Sequence, residues 1–281
     1  MTRLSLFSWL ILGAAFLCAC GTSFDPASFV DGMRVLAVKA EPPEVAPGQA
    51  TTLTALAVDT SGAPIQLSWD ACTEPPLPGK GPVNPDCFVL DPAPYLLPLG
   101  AGPTITADVP QVAPAIFGPP DASGGLYLPI RARARFASGL VDTAYLLRLA
   151  NGTAPNHNPR LTGVFVVPAT GSPVALDEAS PLEVHAGDRI TLRAQFSDDS
   201  AETYPIVLPG QASTVTELLR ASWFATGGSL SEAVTGELKP DTIWRADKHL
   251  PATGAVIDLY VVGRDERGGT DFLHRALVLR P

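Results

Sequence analysis

Apolar and polar positions alternate with a period of two along much of this chain. Ile65, Leu67, Trp69 and Ala71 fall on one side, and Gln66, Ser68 and Asp70 on the other. That period predicts a half-buried strand over residues 64–71. Similar patterning predicts strands over 33–40, 51–59 and 104–109, and a hairpin of 126–136 with 140–149 around Ala137-Ser138-Gly139. In the second half, Ile190, Leu192, Ala194 and Phe196 alternate with Arg189, Thr191, Arg193 and Gln195. A strand over 215–224 leads through Trp223 into Thr226-Gly227-Gly228, and strands over 255–264 and 270–279 flank Arg267-Gly268-Gly269. The stretch from Cys72 to about Gly102 is rich in proline, has no period, and reads as a long loop.

The halves repeat one order. Pro47-Gly48 followed by Leu53, Ala55 and Asp59 matches Ala186-Gly187 followed by Leu192, Ala194 and Asp198. Ser68-Trp69 matches Ser222-Trp223, and Arg135, Gly139 and Asp142 match Arg264, Gly268 and Asp271. Three matches in one order point to duplication. Short strands, a Trp on a middle strand and regular turn residues fit an all-β fold of two Ig-like β-sandwich domains in tandem, 33–150 and 161–281. The Gly, Pro and Asn residues of 151–160 mark the linker, which is expected to be exposed and the first site of proteolysis.

Composition narrows the class. With 29 prolines, 25 glycines, 46% hydrophobic and 17% charged residues, the chain is neither disordered nor a coiled coil nor a helical bundle. Its net charge of −9 excludes nucleic acid as a partner, since phosphate binding needs a basic surface.

The N-terminus predicts a location. Arg3 precedes an apolar run over residues 4–17, shorter than the ~20 residues of a spanning helix and suited to an export signal. The run ends in Leu17-Cys18-Ala19-Cys20-Gly21, which resembles a bacterial lipobox. The resemblance implies that residues 1–19 are a signal peptide and that the Cys20 thiol takes the lipid. Residues 20–32 then read as a tether. Attachment would rest on acyl chains, because the body is acidic. Gly21 carries no inner-membrane retention charge, so the outer membrane is expected.

Four cysteines are present, Cys18, Cys20, Cys72 and Cys87. Cleavage removes the first and lipidation uses the second. An oxidising compartment then predicts a Cys72–Cys87 disulfide, contributing about 3 kcal/mol in the chain-entropy model. A metal site is not expected there, as no His lies near either Cys.

Catalytic motifs are absent. His157, His185, His249 and His274 are scattered, and no HExxH, GxSxG, P-loop or GxGxxG occurs. No catalytic residue, cofactor or metal is assigned. Three clusters are candidates. Asp198 and Asp199, in the acidic run 197–202, read either as a solvated turn or as Ca²⁺ ligands. Arg131, Arg133 and Arg135 share a strand face and read as an exposed sheet face or a site for an anionic glycan or carboxylated partner. Trp69 and Trp223 fall on inward faces, whereas Trp244 is open between core packing and stacking on a sugar.

The lipobox, the segment Ala40-Glu41-Pro42-Pro43-Glu44-Val45-Ala46-Pro47-Gly48 and the Ser-Trp pairs together resemble bacterial envelope lipoproteins with Ig-like or PKD-like repeats. The resemblance implies a fold and a place, and carries no catalytic residues across. The expected function is that of a non-enzymatic, lipid-anchored envelope protein whose domains bind a protein or glycan or play a structural role. The alternative is an envelope hydrolase or carbohydrate-active accessory protein, which requires a pocket with perturbed carboxylates or His. The Cys72–Cys87 loop reads equally as a contact surface or as a staple on an insertion.

Overall fold

The computed structural model describes residues 25–89, 94–111, 119–150, 154–208 and 211–281. The expected signal peptide over residues 1–19, Cys20 and the first linker residues, 151–153, lie outside the described residues.

The protein is all-β. In the first half the strands are β1 (Arg34–Glu41), β2 (Glu44–Val45), β3 (Ala50–Val58), β4 (Gln66–Cys72), β5 (Leu96–Ala101), β6 (Thr104–Asp108), β7 (Leu126–Phe136) and β8 (Gly139–Leu149). A four-residue helix, α1 (Asp86–Val89), sits between β4 and β5. One sheet has the order β1-β3-β6 and the other β2-β8-β7-β4-β5. Between β1 and β2, Pro42 and Pro43 interrupt the ladder, since proline has no N–H to donate. The chain therefore changes sheets there: β1 runs antiparallel to β3, and β2 parallel to β8. Val38, Ala40, Leu53 and Ala107 from one sheet meet Trp69, Ile130, Ala132 and Leu147 from the other in one core. Burial of each large apolar side chain there contributes about 1.5–3 kcal/mol.

The second half has β9 (Leu161–Val167), β10 (Val174–Ala175), β11 (Leu182–His185), β12 (Arg189–Phe196), β13 (Thr203–Leu208), β14 (Gln211–Thr216), β15 (Arg220–Ala225), β16 (Ser229–Leu230), β17 (Val234–Gly236), β18 (Asp241–Arg245), β19 (Val256–Arg264) and β20 (Thr270–Arg280). Its sheets have the orders β10-β9-β12-β18-β16 and β11-β20-β19-β15-β17. They enclose Leu192, Phe196, Trp223, Trp244, Ile257 and Leu277. Here β11 runs parallel to β20 just as β2 does to β8. The matched residues occupy matched places. Leu53 and Leu192 are both fully buried, as are Trp69 and Trp223. Gly48 and Gly187, with φ of 83° and 89°, make the turn before β3 and β12, a conformation that a side chain would strain.

The structure departs from the sequence expectations in four places. The long loop after Cys72 contains β5, whose ladder to β4 runs from Leu96 to Ala101; Pro98 is tolerated because β5 is an edge strand. The strand expected over 215–224 is broken at residues 217–219 between β14 and β15. β13 and β14 form a separate two-stranded ribbon. The described part of the tether, from residue 25, is docked. Ser28 and Val30 are buried, Val30 N donates to Ala225 O (2.9 Å), and Ala225 N donates to Ser28 O (2.9 Å).

The halves lie side by side. Val30, Leu36 and Val58 pack against Phe224 and Tyr260. Lys39 pairs with Asp271 at 3.0 Å, Arg264 Nη2 donates to Leu36 O (3.0 Å), and Tyr145 Oη donates to Gly268 O (3.2 Å).

This packing gives the molecule two distinct ends. At one, β8 finishes at Leu149 opposite Leu126, and β9 begins at Leu161 opposite Phe196. The linker, the Cys72–Cys87 loop and the base of the β13–β14 ribbon share this linker end. At the other, Arg189 pairs with Arg245 and the strap 25–30 docks beside Ala225. The eight residues of β12 separate the two ends by roughly 25 Å at ~3.3 Å per residue.

Candidate functional site

The most elaborate polar arrangement is at the linker end. Its center is Pro155-Asn156-His157-Asn158-Pro159. A proline biases the residue before it toward an extended backbone and cannot itself donate, so this segment joins no ladder and its other N–H groups need acceptors. Side chains of both halves supply them. Asn156 N donates to Glu44 Oε2 (3.0 Å) and His157 N to Glu202 Oε2 (3.1 Å). Asn158 Nδ2 donates to Ala40 O (2.7 Å), while Asn158 Oδ1 accepts from Thr270 N (2.8 Å). Arg160 N donates to Ser200 Oγ (3.0 Å). Within residues 154–160 the expected exposure is found at Pro155, His157 and Arg160, whereas Asn156 (2% exposed) and Pro159 are buried.

Two arginines frame this segment. Arg148, 1% exposed, donates through Nε to Glu44 Oε2 (2.9 Å) and through Nη1 to Tyr127 Oη (3.0 Å) and Asp121 Oδ2 (3.3 Å). Gly125 leaves the space its guanidinium occupies, since a Cβ there would overlap it. Arg267 donates through Nε to Glu217 Oε1 (2.6 Å), through Nη2 to Glu202 Oε2 (2.6 Å) and through Nη1 to Ala154 O (3.1 Å). Its guanidinium lies 4.5 Å from the Tyr204 ring centroid, within cation–π range. Arg267 thereby ties both strands of the ribbon to the linker. Asp265 shapes the adjacent hairpin: Oδ1 accepts from Arg267 N and Gly269 N (both 2.8 Å), and Oδ2 accepts from Asn156 Nδ2 (3.3 Å).

Burial sets the electrostatics. It pushes the Asp265 carboxyl up against the opposing hydrogen bonds from Gly269 and Arg267. It likewise pushes Glu217 up, more than Arg267 lowers it. Burial would also raise Asp121, but hydrogen bonds from Tyr127, Ser123 and Gly125 outweigh it and hold that carboxyl below its usual range. The Tyr127 phenol is pushed up to about 12, first by burial and then by Asp121. These carboxylates are engaged by guanidinium and backbone groups. A nearby cavity of about 370 Å³ lies between β1, β8 and the β19–β20 turn, and Asp265 lines it. Both Asp265 oxygens hold neighboring groups. The arrangement is suited to clamping the halves together.

The remaining candidates are placed as follows. Cys72 and Cys87 form a disulfide and both are buried. Asn84 holds the loop, accepting from Asp86 N (3.0 Å) and donating to Pro75 O (3.0 Å). Arg131 is 4% exposed, binds Asp70 Oδ2 through Nη2 (2.7 Å) and donates to Cys87 O (3.3 Å). Arg133 binds both oxygens of Asp142 (2.8 and 2.9 Å). Arg135 is exposed beside Gln66 and Ser68. The reading of Arg131 as part of an exposed sheet face is corrected by its burial, and the open reading of Trp244 falls to core packing. Trp244 is fully buried and its Nε1 donates to Gly227 O (2.9 Å), so its ring has no face open to a sugar. Asp198 and Asp199 lie in the turn closed by Ser200 N on Ser197 O (3.0 Å). Among the described residues, no three His, Cys, Asp or Glu side chains converge as metal ligands.

The linker-end residues escaped the sequence reading, although two signals were present. Arg148 interrupts the apolar run Leu146-Leu147-Arg148-Leu149, and Asn-His-Asn lies between two prolines. A charge at an apolar strand end requires a buried partner. Glu44, Glu202 and Glu217 are far from it in sequence and carry no local mark.

Neither a family model nor a curated protein matches this chain. Among solved structures 230 chains match. One is a chimeric titin Z1Z2 functionalized with a KLER exogenous peptide from decorin. It is 13% identical over 89% of this chain and 100% of that chain, with a TM-score of 0.22. At that score the likeness carries no weight, and the architecture rests on the strand pairing itself.

Proposed function

We propose that this chain is a lipid-anchored, non-enzymatic protein of the bacterial cell envelope, in which two Ig-like sandwiches form one unit that presents its linker end to a protein or glycan partner. The carrying observation is the placement of the two ends. The strap, which leads back toward Cys20, docks at one; the disulfide loop and the β13–β14 ribbon project from the other. An anchor at Cys20 then holds the decorated end away from the lipid. The Ig-like, two-domain reading is supported by the repeated sheet order and by the parallel pairing of β2 with β8 and β11 with β20. The engagement of Glu202, Glu217 and Asp265 by Arg267 and backbone groups favors this reading over a hydrolase.

Two experiments test it. Cys20→Ser should move the protein out of the outer-membrane fraction; unchanged association would contradict the anchor. A photo-crosslinking residue at Lys80, in the disulfide loop, should capture an envelope protein or glycan that the same residue at Lys248, at the strap end, does not. Equal capture at both positions would contradict presentation by the linker end.

A further inference from the structure

The strap end carries its own chemistry. Asp25 belongs to the docked strap: its carboxylate lies 3.1 Å from His249 Nε2, and Phe29 stacks on the His249 ring with centroids 3.9 Å apart. Five residue steps separate Cys20 from Asp25, and a fully extended chain spans at most roughly 18 Å over that length. A lipid on Cys20 therefore keeps this end close to the bilayer surface, whatever path residues 21–24 take.

The surface held there carries cations that no carboxylate of the described residues pairs with. A groove of about 570 Å³ is lined by Asp25, Ser229, Arg245, Asp247, Lys248 and His249. Arg245 stands directly opposite Arg189 across the β12–β18 ladder. Like charges in directly opposed positions destabilize a sheet unless an anion lies between or over them. Among the described residues, Arg189, Arg245 and Lys248 have no carboxylate partner. The nearby acids have other contacts, Asp25 with His249, Asp188 with His185 (3.7 Å) and Asp247 with Ser229 Oγ (2.6 Å), and none of them pairs with the three cations. At the linker end, by contrast, Arg148 and Arg267 are each held by two carboxylates. Val256, 52% exposed, adds an apolar contact at the strap end.

We infer that the strap end is the membrane-facing surface of this protein and that Arg189, Arg245 and Lys248 bind the phosphates of anionic phospholipid headgroups. The inference rests on the proposed anchor for its geometry, but binding by these three side chains is separable from it. Cations near an anionic leaflet attract it over about a Debye length, so the cluster would orient a molecule whose acyl chains alone leave it free to tumble.

The test uses the mature chain without lipid, starting at Gly21, so that its outcome does not depend on acylation. Flotation with phosphatidylglycerol vesicles at low salt should recover the protein, and phosphatidylcholine vesicles should not. Arg189→Ala/Arg245→Ala/Lys248→Ala should weaken recovery at least about tenfold, as expected for loss of three juxtamembrane cations. Lys80→Ala/Lys239→Ala/Arg160→Ala, which removes equal charge from loops and the linker away from the strap end, should leave recovery unchanged and controls for net charge. Failure to bind phosphatidylglycerol, equal binding by the strap-end variant, or equal loss in the control would overturn the inference. So would a response of these three residues to soluble glycerol phosphate without vesicle binding, which would make the site one for a free phosphate. The anchor itself fails separately, through Cys20→Ser.

Discussion

At the scale of single residues, the linker end depends on buried charge. Arg148 and Glu44 are 1% and 2% exposed at their side chains and 2.9 Å apart. Removing one member of such a pair strands the other, at a cost of about 3–5 kcal/mol, whereas removing both charges costs far less. Arg148→Met should therefore lose stability in that range by urea denaturation. Arg148→Met/Glu44→Gln, which keeps an acceptor for Asn156 N, should recover part of the loss. Equal losses in both would contradict the assignment. Glu217 gives a pH signature. Its folded pKa is raised above the reference of 4.5, chiefly by burial. Its favorable contribution is thus complete below the unfolded pKa and declines as pH rises through the folded value. Relative to the parent, Glu217→Gln should gain stability between pH 4.5 and 7.5 in thermal melts; a constant or falling difference would show the sign to be wrong. Asp121 works the other way: its lowered pKa contributes stability above its unfolded value, lost as pH falls through the folded one.

At the scale of elements, the loops matter more than their sequences suggest. The disulfide lies beneath the loop, with Cys87 fully buried and its carbonyl bound by Arg131. The five prolines between the cysteines already restrict the unfolded chain, so Cys72→Ser/Cys87→Ser should cost no more than the ~3 kcal/mol of an average loop of this length. A larger loss in urea denaturation would mean that the bridge organizes the core beside Arg131 as well. The linker predicts a proteolysis pattern: with Asn156, His157 and Asn158 held by both halves, cleavage within 154–160 should follow cleavage within 76–82, and the reverse order would contradict the clamp. Strand positions were legible because the period of two survives where one sheet face is buried; the β7–β8 hairpin, with Ala132 and Ala134 inward against Arg133 and Arg135, is read directly. β5 was hidden because Leu96-Leu97-Pro98-Leu99 is an edge segment with little alternation. The ribbon was hidden because its apolar residues suggest a core strand, although it pairs only with itself. The linker clamp was illegible for a different reason: its acceptors come from residues up to 118 positions away, and no local pattern records such a partner.

At the scale of the whole molecule, the lateral packing of the halves turns a two-part chain into an object with a direction. The strap packs Val30 with Leu36 and Val58 of the first half and Phe224 and Tyr260 of the second, so the segment leading toward Cys20 also joins the halves. The linker closes the opposite end. An extended tandem would leave the relation between strap and loops undefined, whereas this arrangement sets the strap, and with it the proposed anchor, at the end opposite the loops. The most direct test is depth on the membrane. A fluorescent residue is placed at Lys248 or at Lys80 in the acylated protein, bound to vesicles that carry a headgroup quencher. The account predicts strong quenching at Lys248 and little at Lys80; equal quenching at the two positions, or stronger quenching at Lys80, would contradict it.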